Sequence, residues 1–178
     1  MNRRQFITGI GATLLLPKTA LALNEPFPEF QVLDEDRTLI NLKTMYSGRK
    51  TLINVWEIYC HPCIQEIPLL NDMNRRINVI GLCYVSSKTP PDFQRELEFI
   101  KQIHTKIQYQ KALIINYEPL FTLYKQQHPS KTYFGFPTFF LLDSKSNCTF
   151  STAGQLIDNY ERPTQNLRNL ESAISKTN

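Results

Sequence analysis

The chain has 178 residues, 42% of them apolar, which is enough for a real hydrophobic core and fits one domain. Its formal net charge is +4, but three of the 20 Lys and Arg residues (Arg3, Arg4 and Lys18) fall within the first 22 positions, and the remainder carries 17 basic against 16 acidic residues. With no basic run and no interleaving of basic and aromatic residues, this balance excludes a nucleic-acid-binding class.

The first 22 residues read as an export signal. Arg3 and Arg4 form a charged start, residues 6–16 an apolar run of 11, and Ala20-Leu21-Ala22 a small-residue cleavage site. The order Arg3-Arg4-Gln5-Phe6-Ile7 resembles a twin-arginine signal. An ordinary secretory signal or an uncleaved anchor are the alternatives, and an anchor needs roughly 20 apolar residues. Residues 1–22 are thus expected to direct residues 23–178 to the periplasm of a bacterium, with no stable membrane span after cleavage.

Pro26 and Pro28 precede residues 29–42, which read as two short strands around an Asp34-Glu35-Asp36 turn. Met45 to Gly48 form the approach to a strand over residues 51–57. Cys60-His61-Pro62-Cys63 follows at the join with a helix expected to run to about Arg75, kinked or broken at Pro68. Residues 78–85 are apolar and β-branched enough for a second buried strand. Thr89-Pro90-Pro91-Asp92 opens a helix in which Phe93, Leu97, Ile100, Ile103 and Ile107 recur at helical spacing. A short strand is expected over residues 112–115, then a helix opened by Pro119 and carrying Leu120, Leu123 and Tyr124. A buried strand over residues 139–142 and an antiparallel partner over 149–156 come next. Thr164 is expected to cap a last helix carrying Leu167, Leu170 and Ile174. Strands alternating with helices imply an α/β fold, its mixed central sheet mainly parallel with an antiparallel edge and covered by helices on both faces.

Two cysteines with two residues between them, at a strand–helix join, are placed for redox chemistry, although half a zinc site looks the same. Cys60 sits where the unpaired N–H groups and macrodipole of a helix N-terminus stabilise a thiolate. Cys63 lies one turn further in, near enough to close a disulfide. Thiols in such settings have pKa values lowered from about 8.5 into a range of roughly 3.5–7.5, so Cys60 is expected to be the nucleophile and Cys63 the resolving thiol. His61, when protonated, would favour the thiolate further and make the couple more oxidising; the alternative is a solvated turn residue. Pro62, between the thiols, is grouped with His61 as a tuning residue.

These residues carry a family resemblance. Trp56-Glu57-Ile58-Tyr59-Cys60-His61-Pro62-Cys63 resembles the F-W-A-x-W-C-x-P-C segment of the TlpA/ResA-like (CcmG/DsbE-type) thiol–disulfide oxidoreductases of the thioredoxin-like superfamily. Gly135-Phe136-Pro137-Thr138-Phe139-Phe140-Leu141-Leu142-Asp143 is similar to their G-x-P-T-x-F-L-I-D segment, and residues 28–56 to their D-F-x-L-x-D-x-x-G opening. The resemblance implies a thioredoxin-like fold with an N-terminal strand extension, no cofactor, and a cis peptide bond before Pro137, beside the dithiol. There the Phe136 backbone would pair with an extended substrate segment, and Tyr59 would line the substrate surface. It implies disulfide-bearing protein substrates, an upstream membrane-bound thiol donor, a monomer, and work as a reductant in cytochrome c or copper-oxidase maturation. An oxidant or isomerase direction stays open, since His61 pushes toward oxidation.

Three departures matter. Tyr59 replaces the family's tryptophan before the first cysteine. Glu57 stands where the family has a small residue, and reads as a proton acceptor for the thiols, a group that raises the Cys60 pKa, or a solvated loop charge. Asn54 stands where thioredoxins bury an aspartate, which leaves Glu57 or water to deprotonate Cys63. Cys83 and Cys148 fall on strands that are not neighbours in the thioredoxin order, beyond the roughly 7 Å disulfide limit, and are expected to be free buried thiols. The competing class is a Sco-like copper(I) chaperone holding the ion on Cys60, Cys63 and His128. That family has three residues between its cysteines, not two. A structural zinc site would need four ligands, and one C-x-x-C does not supply them.

Overall fold

The computed structural model describes residues 25–86 and 90–177. The expected signal at residues 1–22 and Thr89 of the expected helix start lie outside the described residues. In chain order the elements are β1 (Glu25–Pro26), β2 (Gln31–Leu33), β3 (Leu39–Asn41), α1 (Lys43–Tyr46), β4 (Thr51–Glu57), α2 (His61–Gln65), α3 (Ile67–Met73) and β5 (Asn78–Tyr84). They continue as α4 (Pro90–His104), β6 (Gln110–Ile114), α5 (Glu118–Gln127), β7 (Thr138–Leu142), β8 (Asn147–Ala153) and α6 (Gln165–Lys176).

The described strands form one sheet in the order β1-β8-β7-β4-β5-β6-β2-β3. β4, β5 and β6 are parallel, while β7, β8 and the β2–β3 hairpin are antiparallel additions on either side, so among the described strands antiparallel pairings outnumber parallel ones and the sheet is not the mainly parallel one expected. Because side chains alternate along a strand, β4 serves two cores. Leu52 and Trp56 face Ile67, Leu70 and Met73 of α3, Leu97 and Ile100 of α4, and Leu167 and Leu170 of α6. Ile53 and Val55 face Tyr46 of α1 and Leu120, Leu123 and Tyr124 of α5. Apolar residues on both faces are what a covered, parallel centre requires, and six of the seven β4 residues are buried.

The structure adjusts several expected boundaries. The helix after Cys63 divides at Glu66, because Pro68 lacks the N–H that would continue the ladder to Ile64. α3 then ends at Met73, short of Arg75. β6 starts at Gln110 and leaves Ile115 69% exposed. β8 runs over Asn147–Ala153 rather than 149–156, since Gly154 turns the chain with φ +99°. Thr164 precedes α6 but does not cap it; its hydroxyl donates to the carbonyls of Gln155 and Leu156 at 2.8 and 2.9 Å. The Asp34 turn forms as expected, with Oδ1 accepting from the N–H groups of Asp36 and Thr38 at 3.0 and 2.8 Å.

Candidate active site

β4 delivers the chain to the dithiol. After Glu57 a tight turn closes with Cys60 N–H donating to the Glu57 carbonyl at 3.2 Å. Within it Ile58 is buried and Tyr59 is 72% exposed. Cys60 is the N-cap of α2 in an extended conformation, and its Sγ accepts from the Cys63 N–H at 3.3 Å, as a capping side chain does. Pro62 falls in the first turn of α2, where no helical N–H is needed. Cys60 and Cys63 form a disulfide with their Cα atoms 5.3 Å apart, inside the usual span. Cys60 is the more accessible partner, 7% exposed against 2%. His61, the first residue of α2, is exposed.

β7 brings the second segment. It runs antiparallel to β4 with Thr138 opposite Val55, so Phe136 and Pro137 lie at the end of the sheet where β4 passes into the dithiol turn. The Phe136–Pro137 peptide bond is cis. The Thr138 hydroxyl donates back to the Gly135 carbonyl, and the Pro137 carbonyl accepts from Gly154 N–H at 2.8 Å. The half-buried Phe136 ring stacks on Tyr84 at 6.0 Å and meets Phe134 edge-on at 5.8 Å. Local sequence thus sets two segments, one from each strand, at one end of the sheet.

Buried polar groups lie on the elements around the disulfide. Glu57 is the last residue of β4 and half-buried, not a solvated loop charge. Burial, and the nearby Glu96 carboxylate, raise its pKa above the usual carboxylate range. Glu96 itself is buried on α4 and accepts from the Ser86 N–H at 3.1 Å. The group absent from the sequence reading is Glu66, fully buried between α2 and α3, three residues after Cys63. Its Oε1 accepts from the N–H groups of Leu156 and Ile157, and its Oε2 has no hydrogen-bond partner among the described residues. Burial pushes the Glu66 carboxyl up to about 7, against the pull of those two N–H groups. An acid three residues beyond Cys63, directly before Ile67-Pro68, stands on the same helical face as that inward thiol, and this spacing was the available signal. Asn54 alternates with Leu52 and Trp56 toward the same side and is 2% exposed. Opposite Asn54 is Gly81, where a Cβ would come within 2.9 Å of Tyr109 Cε2. The buried Tyr109 ring therefore crosses bare backbone.

No family model matches the chain. A stretch of 64 residues is 33% identical to thiol-disulfide oxidoreductase ResA of Geobacillus thermodenitrificans; it covers 36% of this chain, and the chain spans about a third of that curated relative's length (36%). Among solved structures, one assigned as the thiol:disulfide interchange protein DsbE of Chlorobium tepidum superposes with TM-score 0.58 at 18% identity, over 85% of this chain and 94% of that one. The thioredoxin domain of a thiol-disulfide oxidoreductase of Bacteroides vulgatus gives 0.54 at 15%, over 85% and 96%. StoA of Bacillus subtilis gives 0.50 at 22%, over 72% and 90%. The fold is thioredoxin-like. The resemblance to ResA-type proteins read from the two motifs agrees with the curated relative, and the fold it implies agrees with the solved structures.

In this thioredoxin-like sheet β5 and β8 are separated by β4 and β7, and Cys83 and Cys148 face opposite cores as free, buried thiols. Burial, with Glu96 and Glu57 nearby, pushes the Cys83 thiol well up; burial pushes Cys148 up to about 12. His128 does not join the dithiol. It ends α5 on the other face of the sheet, with Nε2 at 3.0 Å from the Ser151 hydroxyl and 3.1 Å from its carbonyl. His104 packs its ring on Trp56 at 6.2 Å. Among the described residues no group of three or more His, Cys, Asp or Glu side chains is placed to hold a metal ion, so the ligand set of the copper alternative is not assembled. No described helix is long and apolar enough to cross a membrane.

Proposed function

We propose that the chain is an exported protein thiol–disulfide oxidoreductase that cycles Cys60 and Cys63 between dithiol and disulfide. In this reading residues 1–22 are the export signal, and residues 23–178 work in the periplasm as a thioredoxin-like domain. The observation that carries it is the Cys60–Cys63 disulfide at the start of α2, at the same end of the sheet as the cis Phe136–Pro137 bond. In the reducing direction the Cys60 thiolate attacks one sulfur of a substrate disulfide. A Cys60–substrate disulfide forms, the substrate S–S bond breaks, and the departing sulfur takes a proton. Cys63, deprotonated, attacks Cys60 Sγ, re-forms the intramolecular disulfide and releases the second substrate thiolate. Two electrons pass to the substrate, and an upstream thiol donor restores the dithiol.

The site residues divide this work. Helix α2 stabilises the Cys60 thiolate, with His61 and Pro62 tuning it. Phe136, Pro137 and Tyr59 hold the substrate segment. Glu66, whose pKa of about 7 lets it accept a proton near neutrality, is placed to deprotonate Cys63, a role the sequence reading gave to Glu57 or water. Following the family resemblance of the two motifs, the task we assign is reduction of protein disulfides in cytochrome c or copper-oxidase maturation.

The test is redox titration of the purified protein against glutathione, paired with an insulin-reduction assay. A reversible two-electron Cys60–Cys63 couple is expected, and Cys60→Ser should abolish turnover. A protein with no reversible couple, or full activity in Cys60→Ser, would overturn the proposal.

A further inference from the structure

A groove of about 340 Å³ opens directly beside the dithiol turn, with one wall from Ile58 and Tyr59 and the other from Arg95, Glu98, Phe99 and Gln102 of α4. We propose that it is a subsite for one uncharged apolar side chain, an aromatic above all, carried next to the reacting cysteine of the protein substrate; this rests on the oxidoreductase reading above. The first argument is reach. Consecutive Cα atoms are about 3.8 Å apart, so a substrate held covalently on Cys60 presents its flanking residues within a residue or two of Tyr59.

The second argument is the chemistry of the walls. Tyr59 is 72% exposed and Phe99 45% exposed, two large apolar side chains left in water across one groove. Their removal from water is favourable at roughly 25 cal/mol per Å², and nothing in the described chain covers them. The third argument is charge. The groove has one basic and one acidic residue, and both have partners within α4: Arg95 with Asp92 at 3.7 Å and Glu98 with Lys101 at 2.8 Å. A charged side chain entering the groove would lose water and gain no unpaired opposite charge, whereas an aromatic ring meets two apolar faces. The volume lies at the small end of ligand-binding clefts, about 300–1,000 Å³, which suits one or two side chains rather than a folded surface.

The test uses the full-length reduced protein and three synthetic peptides, each with its cysteine as a glutathione mixed disulfide, identical except for Phe, Ser or Lys beside that cysteine. Second-order reduction rates are measured by stopped flow. The Phe peptide is expected to react about 10-fold faster than the Ser or Lys peptide. Phe99→Ala, at an exposed helical position, should bring the Phe and Ser rates within about 2-fold while the Cys60–Cys63 midpoint potential stays at its wild-type value. Phe99→Glu should turn the preference toward the Lys peptide. Equal rates for all three peptides in the wild type, or a Phe preference that survives both Phe99 variants, would overturn the subsite while leaving the oxidoreductase reading intact. A wild-type protein inert to every peptide and to glutathione disulfide would overturn both.

Discussion

A thiol at a helix N-cap meets the positive end of the helix dipole and the N–H groups that have no carbonyl to bond. Cys60 Sγ already accepts one of them, from Cys63, so its thiolate would be stabilised before any substrate arrives. Cys63 has no such aid. It is 2% exposed, and in the proposed cycle its deprotonation calls for a base within the protein. Glu66 stands one helical turn away with its pKa raised by burial to about 7. We expect the breakdown of a preformed Cys60 mixed disulfide, followed by stopped flow from pH 5 to 9, to accelerate with an inflection near 7. In Glu66→Gln the inflection should vanish and the rate at pH 8 should fall about 100-fold, the lower end of what a positioned base contributes. An unchanged profile would hand the role to water or Glu57. The parts of the site legible in the sequence, Cys60, Cys63 and Pro137, are fixed by local chemistry at a strand–helix join and an X-Pro bond. Glu66 left only its spacing from Cys63 as a signal, because its burial comes from contact with Leu156 and Ile157, about 90 residues away along the chain.

The elements position these residues by close approach of β4 and β5 to what covers them. Tyr109 lies across Gly81, and a Cβ there would stand 2.9 Å from its ring and 3.4 Å from Trp56 Nε1. Both rings are buried, so neither can swing into solvent. Gly81→Ala should therefore destabilise the fold by about 1–3 kcal/mol, the range for overpacking a filled core, read as a lowered urea midpoint with an unchanged slope. The double variant with Tyr109→Leu should lose less than the sum of the singles, since the smaller side chain vacates the clash; additive losses would show that the ring is not the obstacle. The long periodic elements were legible for the same reason that this site is tight. β4, β5 and α4 carry continuous or 3.6-spaced apolar runs; β4 and β5 formed where expected, and α4 ends at His104, before the Ile107 expected on it. Short elements set by pairing were not: β1 is two residues held by Asn147 and Cys148, and the hydroxyl of Thr164 serves the preceding loop rather than α6.

At the scale of the whole molecule, one buried and one half-buried titratable group act on stability with opposite signs. Glu66 is raised from 4.5 to about 7 and His104 is lowered from 6.5 to about 4, the latter by burial and by Lys111. Between pH 4.5 and 7 the folded chain holds a proton on Glu66 that the unfolded chain has lost, so this group makes stability fall as pH rises. Between pH 4 and 6.5 the unfolded chain holds a proton on His104 that the folded chain excludes, so this group makes stability rise with pH. Each slope is at most about 1.4 kcal/mol per pH unit, and from pH 4.5 to 6.5 they cancel. Glu57, raised by burial, adds to the first, and His128, lowered by burial, adds to the second. The melting temperature of the wild type should therefore be nearly flat from pH 5 to 6.5. Glu66→Gln, which keeps an acceptor for Leu156 N–H, should give a melting temperature that climbs with pH across that window by roughly 3–6 °C per unit. His104→Phe, which keeps a ring on Trp56, should give one that falls. Calorimetry at three pH values decides it: slopes of the same sign in the two variants, or two flat profiles, would mean that these groups do not set the acid response of the fold.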